Sequence, residues 1–121
     1  FDLSWVNVYG PELLCEGSDF CIAATVVGVW SLHGCRVLYS DESTDGHLTQ
    51  YSLVLGTLGS HAAVGEERIG VVWNRANDQV DFLIGSFSKP SNWLVTLAAP
   101  AFRHLQNRFA VASALRIKSE V

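Results

Sequence analysis

Two adjacent carboxylates and one histidine are the residues of this sequence best suited to acid–base chemistry. Glu66 and Glu67 follow Gly65, and His61 lies shortly before them. Neighbouring strand residues point to opposite faces, so Glu67 shares a face with the apolar residues that follow it, whereas Glu66 shares one with Arg68. A carboxylate among apolar side chains needs a partner or has a raised pKa, which makes it a candidate acid or base. The alternative is that these three side chains make structural contacts around a turn.

Other catalytic chemistries lack their usual motifs. The four histidines are scattered, and none stands in an HxH or HExxH motif: His33, His47, His61 and His104. The sequence has no GxSxG nucleophile motif, no phosphate-binding loop and no GxGxxG. We therefore expect no metal and no cofactor.

Aromatic residues and one arginine are candidates for lining a cavity. The four tryptophans are either core aromatics or pocket walls. On a helical wheel Arg108 lies at the edge of an apolar face, where it reaches solvent, a buried acid or an anionic ligand. We expect it to contact Glu67, directly or through one water, because an unpaired buried carboxylate is costly. The predicted ligand-binding residues are Trp5, Trp30, Tyr51, Glu67, Trp73, Phe87, Trp93 and Arg108.

Most of the chain that must position these residues has the pattern of β-strands. Apolar and β-branched runs alternate with turn residues, and this predicts an antiparallel meander of about six strands. One long run covers residues 20–29, and turns are expected at 33–34, 41–46 and 74–78.

The last third of the chain has a helical pattern. Apolar residues recur at 3.6-residue spacing over residues 93–118, and residues 88–91 offer capping hydroxyls and a proline for the first turn. Arg103 and Gln106 fall on the more exposed side of this wheel. We expect Pro100 to kink or divide the helix, because proline removes a backbone hydrogen bond and clashes with the preceding turn.

A sheet followed by one long helix predicts an α+β fold that resembles the helix-grip, or START-like, architecture. In that architecture a curved sheet wraps a helix around an apolar cavity. Several strands are apolar on both faces, which fits a sheet that is covered on one side and lines a cavity or interface on the other. With 121 residues, of which 49% are apolar, a single soluble domain over 1–121 is expected.

Charge separates the predicted sheet from the predicted helix. The net charge of -4 argues against a general nucleic-acid binder. Residues 1–88 carry three basic and eleven acidic groups (net -8), and residues 89–121 carry five basic groups and one acidic group (net +4). This division indicates attraction between sheet and helix, or alternatively peripheral contact of the basic C-terminal helix with anionic lipid.

The cysteines and the first residues of the sequence indicate in which cellular compartment the protein is found. Cys15, Cys21 and Cys35 are odd in number and form no CxxC, which indicates free thiols in a reducing intracellular compartment, either the cytoplasm or an organelle. A Cys15–Cys21 disulfide is the alternative. The chain starts without Met and without a signal-peptide pattern, so we expect a natural N-terminal segment to precede it.

Two motifs resemble those of a known family. The first motif comprises Gly56-Thr57-Leu58, His61 and Gly65-Glu66-Glu67-Arg68, and the second comprises Phe87-Ser88-Lys89-Pro90, Trp93-Leu94, Pro100, Arg103 and Gln106. With Trp5-Val6 and Glu16-Gly17, they resemble uncharacterised protein family 0548, a domain of unknown function with plant and bacterial members. The resemblance covers nearly the whole chain, although Ile69 stands where the family has an aromatic. It implies no particular activity or catalytic residue.

Three functions are compatible with these observations, in decreasing order. The first is a binding module that holds a lipid or other hydrophobic metabolite in an enclosed, mostly apolar cavity between sheet and helix. The second is a small enzyme in which His61 and Glu66 or Glu67 come within hydrogen-bond reach at the mouth of the cavity. The third is a structural or interaction domain whose core is filled. The sequence does not predict an oligomeric state.

Overall fold

The computed structural model describes residues 3–26, 28–59, 61 and 63–120. Within these residues one antiparallel sheet contains its strands in sequence order. The elements are β1 (Val6–Tyr9), β2 (Asp19–Val26), β3 (Val29–Asp45), β4 (Leu48–Thr57), β5 (Ala63–Asn74), β6 (Gln79–Pro90), α1 (Trp93–Leu97) and α2 (Ala99–Glu120). The predicted α+β class and the six-stranded meander are confirmed.

Strand β3 is longer than the sequence pattern predicted. The turn expected at residues 33–34 is wrong, because Gly34 lies on a paired strand opposite Cys21. Of the turn expected at 41–46, residues 41–45 continue the paired strand and only Gly46 lies in a turn. The polar residues 41–45 are exposed on a paired strand, so their polarity reflects contact with solvent. The chain reverses instead at Gly28 and Gly46, where φ is 76° and 55°, values that glycine adopts without steric cost. Val27, in the predicted apolar run, lies outside the described residues.

The two faces of the sheet are defined by its register. Val37 lies opposite Leu55, Leu55 opposite Glu67, and Glu67 opposite Ser86; we call the face that carries these side chains the inner face. It holds the hydrophobic core, which consists of Phe20, Cys35, Val37 and Leu55 with Leu14, Ile22, Leu53 and Ile69 packed around them. The opposite, outer face carries Glu66 and Arg68.

A β-bulge in β3 changes which face its side chains occupy. The register shifts between Val37 and Tyr39, so Val37 is fully buried in the inner core whereas Tyr39 lies opposite Val54 on the outer face. Gly56 makes room for the bulged Leu38, since a Cβ at Gly56 would lie 2.9 Å from a Leu38 methyl carbon. The bulge therefore reverses the alternation of β3, so that Val37 faces the core whereas Tyr39, two residues later, faces outward.

The helical region is divided where the sequence predicted. Helix α1 ends at Leu97 and α2 begins at Ala99, so the break falls within two residues of Pro100 and the expectation is confirmed. Pro100 is tolerated in the first turn of α2 because its missing N–H would have no intrahelical partner there. The predicted cap at 88–91 is wrong, because β6 continues to Pro90, which pairs with Ala63. Helix α1 starts instead after Asn92, whose carbonyl accepts bonds from the Thr96 amide and hydroxyl, both at 3.1 Å.

One turn of α2 contacts both edges of the sheet. Gln106 Nε2 donates to Ser88 Oγ on β6 at 3.3 Å, and the Phe109 ring packs edge-to-face on Trp5, just before β1, with a centroid distance of 6.4 Å. Since β1 and β6 are the edge strands, α2 bridges the sheet across its inner face.

Two further observations concern the chain as a whole. Cys15 is exposed, Cys21 is half-buried and Cys35 is buried, and all three are free thiols, so the alternative Cys15–Cys21 disulfide is not formed. Within the described residues, no helix has the length and apolar character needed to cross a membrane.

Candidate functional site

A cleft of about 330 Å³ lies between the inner face of the sheet and α2. Strands β5 and β6 form one wall and α2 forms the other. Both walls mix polar with apolar groups, so the cleft differs from the enclosed, mostly apolar cavity that the sequence predicted. The lining residues are Glu67, Ile84, Gly85 and Ser86 on the sheet and Arg103, Gln106, Asn107, Phe109 and Ala110 on the helix.

Glu67 is the acidic residue of this cleft. Its side chain is half-buried, and burial raises the pKa of its carboxyl group. Among the described residues, no hydrogen bond or ion pair involves that carboxyl group. Glu67 also lies close enough to Cys35 to contribute, after burial, to raising the pKa of that thiol to about 11. At neutral pH Cys35 is therefore protonated and a poor nucleophile.

The direct contact expected between Glu67 and Arg108 is wrong, because among the described residues no ion pair joins these two side chains. A contact through one water stays a prediction. The Arg108 guanidinium lies over Trp5, with its central carbon 4.7 Å from the ring centroid, a distance typical of a cation–π interaction. Arg103 is the helix cation that lines the cleft with Glu67. Helix α2 is thus rotated about its axis from the orientation that its apolar residues predicted.

This rotation exposes apolar residues and directs polar ones to the cleft. Arg103, Gln106 and Asn107 face the inner sheet, and Ser113, two turns further on, is buried. Leu115, which the apolar pattern placed on the covered side of the helix, is left 64% exposed. Arg103 and Gln106 belong to the second family motif, and their position in the cleft gives the helical part of that motif a physical meaning.

The rings of two histidines contact each other at an interplanar angle of 52°. The ring centroids of His33 and His61 are 4.6 Å apart. His61 Nδ1 accepts the Ala63 amide hydrogen at 3.0 Å, and His33 Nε2 is 2.9 Å from Ser31 Oγ. Burial, together with the neighbouring His33, lowers the pKa of His61 to about 4, and burial also lowers the pKa of His33. Both imidazoles are therefore neutral at pH 7.

The acid–base candidates do not come together. Among the described residues no hydrogen bond joins His61 to Glu66 or Glu67. Glu66 lies on the outer face, where it lines a shallow groove with Tyr39, Arg68 and Phe87. The structure thus separates Glu66 from Glu67, as strand alternation predicted, and the hydrogen-bonded pair required by the enzyme hypothesis is not observed.

The remaining predicted ligand-binding residues lie away from the cleft. Trp5 is half-buried and contacts α2 through Phe109 and Arg108. Five aromatics are between 43% and 87% exposed: Trp30, Tyr51, Trp73, Phe87 and Trp93. Sequence reasoning found Glu67 but missed Ser86 and Asn107, for which the sequence carries no distinctive signal. No group of three or more His, Cys, Asp or Glu side chains within the described ranges is arranged to hold a metal ion.

Comparison with known proteins identifies the class of this α+β chain. A family model described as a domain of unknown function (DUF1990) matches residues 1–116, and the chain belongs to that family. The resemblance to uncharacterised family 0548 is confirmed by two curated relatives that carry that name. No solved structure matches the chain.

The two relatives come from distant organisms. A UPF0548 protein of Dictyostelium discoideum is 36% identical over 122 residues, which cover 93% of this chain and 56% of the relative. A UPF0548 protein of Arabidopsis thaliana is 31% identical over 112 residues, which cover 91% of this chain and 54% of the relative. The chain therefore spans about half the length of the curated relatives it matches.

Proposed function

We propose that this protein is a ligand-binding module of the helix-grip kind, which holds a small organic molecule in the cleft between the sheet and α2. The helix-grip assignment is supported by α2, which crosses the inner face and touches both edge strands at neighbouring positions. The binding role is supported above all by Glu67, a half-buried carboxyl group without a partner among the described residues that faces the cleft. Such a group lowers stability and is typical of a site that meets a ligand.

The size and lining of the cleft favour a small polar metabolite over a long-chain lipid. Ligand pockets commonly measure about 300–1,000 Å³, and the volume of about 330 Å³ lies at the lower end. Arg103, Gln106 and Asn107 bring hydrogen-bonding groups to the helix wall, while Ile84 and Phe109 supply apolar surface. A ligand that matches this lining has a compact apolar part and charged or hydrogen-bonding ends.

A change that fills the cleft tests the proposal. Ala110→Trp places a large side chain in the cleft, because Ala110 is half-buried on the helix wall. Val111→Trp is the matched control, since Val111 is 60% exposed on another side of the helix. Each protein is purified from the source organism and examined by native mass spectrometry for a bound small molecule.

The expected result is a bound mass in the native protein and in Val111→Trp that disappears in Ala110→Trp. Circular dichroism should show that both variants keep the native spectrum. The same bound mass in all three proteins, or none in the native protein, would contradict a ligand site in this cleft.

A further inference from the structure

The two walls of the cleft carry opposite charges that do not meet. Glu67 lies on β5 and Arg103 on α2. Among the described residues no ion pair joins them within 4.0 Å. Each side chain is anchored to a different element, so the gap between the charges is set by the spacing of sheet and helix.

The surface around the charges is suited to a ligand with an apolar centre. Ile84 and Phe109 line the cleft along with the two charged residues. Gln106 is already bonded to Ser88, whereas Asn107 lies one helical turn after Arg103 on the same wall. The cleft therefore has a negative wall, a positive wall and apolar surface, in a volume suited to a small metabolite.

We propose that the cleft binds a zwitterionic small molecule of the amino-acid type, with its ammonium group at Glu67, its carboxylate at Arg103 and its apolar side chain against Ile84 and Phe109. This inference rests on the proposed function and names the class of ligand. An ammonium group would supply the counter-charge that the Glu67 carboxyl group lacks. A carboxylate matches the planar guanidinium of Arg103, which can donate two parallel hydrogen bonds to it.

Three probes that share a phenyl ring test the contribution of each charged contact separately. L-phenylalanine carries both an ammonium and a carboxylate, phenethylamine carries only the amine, and 3-phenylpropionate carries only the acid. Isothermal titration of the native chain should give a Kd for L-phenylalanine at least about tenfold lower than for either single-charge probe, because each charge-assisted contact adds affinity.

Charge-removing variants assign each contact. Glu67→Gln should weaken L-phenylalanine to the level of 3-phenylpropionate, and Arg103→Gln should weaken it to the level of phenethylamine. Glu66→Gln, at the neighbouring position on the outer face, and Lys118→Gln, on α2 outside the cleft lining, are matched controls that should keep the native affinity.

Two outcomes overturn the inference. One is equal affinity for the three probes. The other is failure of L-phenylalanine, L-leucine and L-methionine all to bind at millimolar concentration. In either case the binding module itself is judged separately, since a bound mass that is lost in Ala110→Trp and kept in Val111→Trp would still support it. If the probe experiment fails in this way and no bound mass is lost in Ala110→Trp, both the binding function and the amino-acid class of ligand are wrong.

Discussion

His61 is expected to make the stability of the fold depend on pH in the acidic range. Burial and the neighbouring His33 lower the pKa of His61 from 6.5 to about 4 in the folded chain. The unfolded chain therefore binds this proton more readily than the folded chain. Stability contributed by neutral His61 is fully present above pH 6.5 and is lost as the pH falls towards 4.

The size of the effect follows from the difference in pKa. The interval from 6.5 to about 4, at about 1.36 kcal/mol for each pKa unit, corresponds to an upper value of about 3.4 kcal/mol. His61 keeps part of its surface in solvent, and solvent screening reduces this figure, so we expect about 2 kcal/mol. Glu67 acts in the opposite direction, because its raised pKa favours the folded state as the pH falls. His33, whose pKa is also lowered by burial, acts in the same direction as His61, so the native profile combines both histidines with Glu67 and only the comparison with a His61 variant isolates His61.

A comparison with His61→Asn isolates the histidine. The amide oxygen of the introduced asparagine can still accept the Ala63 amide hydrogen, which His61 Nδ1 accepts at 3.0 Å, but the side chain does not titrate. Urea unfolding measured at several pH values between about 7 and about 4.5 gives the free energy of unfolding of each protein. The native chain should lose about 2 kcal/mol more than His61→Asn over this range.

The control for this comparison is His104→Asn, at an exposed position on α2. It should keep the native pH profile, because His104 lies outside the contact between His33 and His61. Parallel profiles for the native chain and His61→Asn would show that the environment assigned to His61 is incorrect.

Three further predictions concern the cleft wall, the β5–β6 pair and the helix. Glu67→Gln should raise the melting temperature at neutral pH and lose this advantage in acid, because burial raises the pKa of Glu67 and its ionised form destabilises the folded state; an unchanged melting temperature at both pH values would contradict this. Gly65→Ala should cost about 2 kcal/mol or more in urea unfolding, because the new Cβ would clash with the Phe87 carbonyl oxygen. Gly59→Ala should cost much less, because its Cβ would meet no atom of the described residues within 4 Å; equal costs would argue against the close strand approach. Ending the chain after Pro90 should give an insoluble protein without native strand signals in circular dichroism, because α2 no longer covers the inner face; a soluble fragment with those signals would show that the sheet folds alone.

The strands and the turn at 74–78 could be predicted from the sequence, but the limits of β3 could not. Alternation of apolar residues indicated a meander because each strand buries one face against the core. Turn residues are less informative, since a polar stretch such as 41–45 is equally compatible with an exposed paired strand. The bulge at Leu38 could not be predicted from the sequence either, because it depends on the space left above Gly56 of the neighbouring strand.

The orientation of α2 shows why the candidate site could be predicted only in part. A wheel places apolar residues inward on the assumption that a helix packs on a filled core. Here α2 spans a cleft, and Arg103 and Asn107 line it while Leu115 remains exposed. Local sequence rules commonly fail at functional sites. Glu67 was found because strand alternation alone fixed its face.

The contacts of α2 with the two sheet edges also determine when the cleft can form during synthesis. Each strand pairs with its neighbour in sequence, so the hairpins require only short loops to close. The contact between Trp5 and Phe109, by contrast, joins residues about 100 positions apart, and long loops of this kind close late. Because synthesis proceeds from the N-terminus, the first half of α2, as far as Phe109, must leave the ribosome before the sheet is bridged. A nascent chain therefore has its β-strand region available before α2 can cover the inner face and complete the binding site.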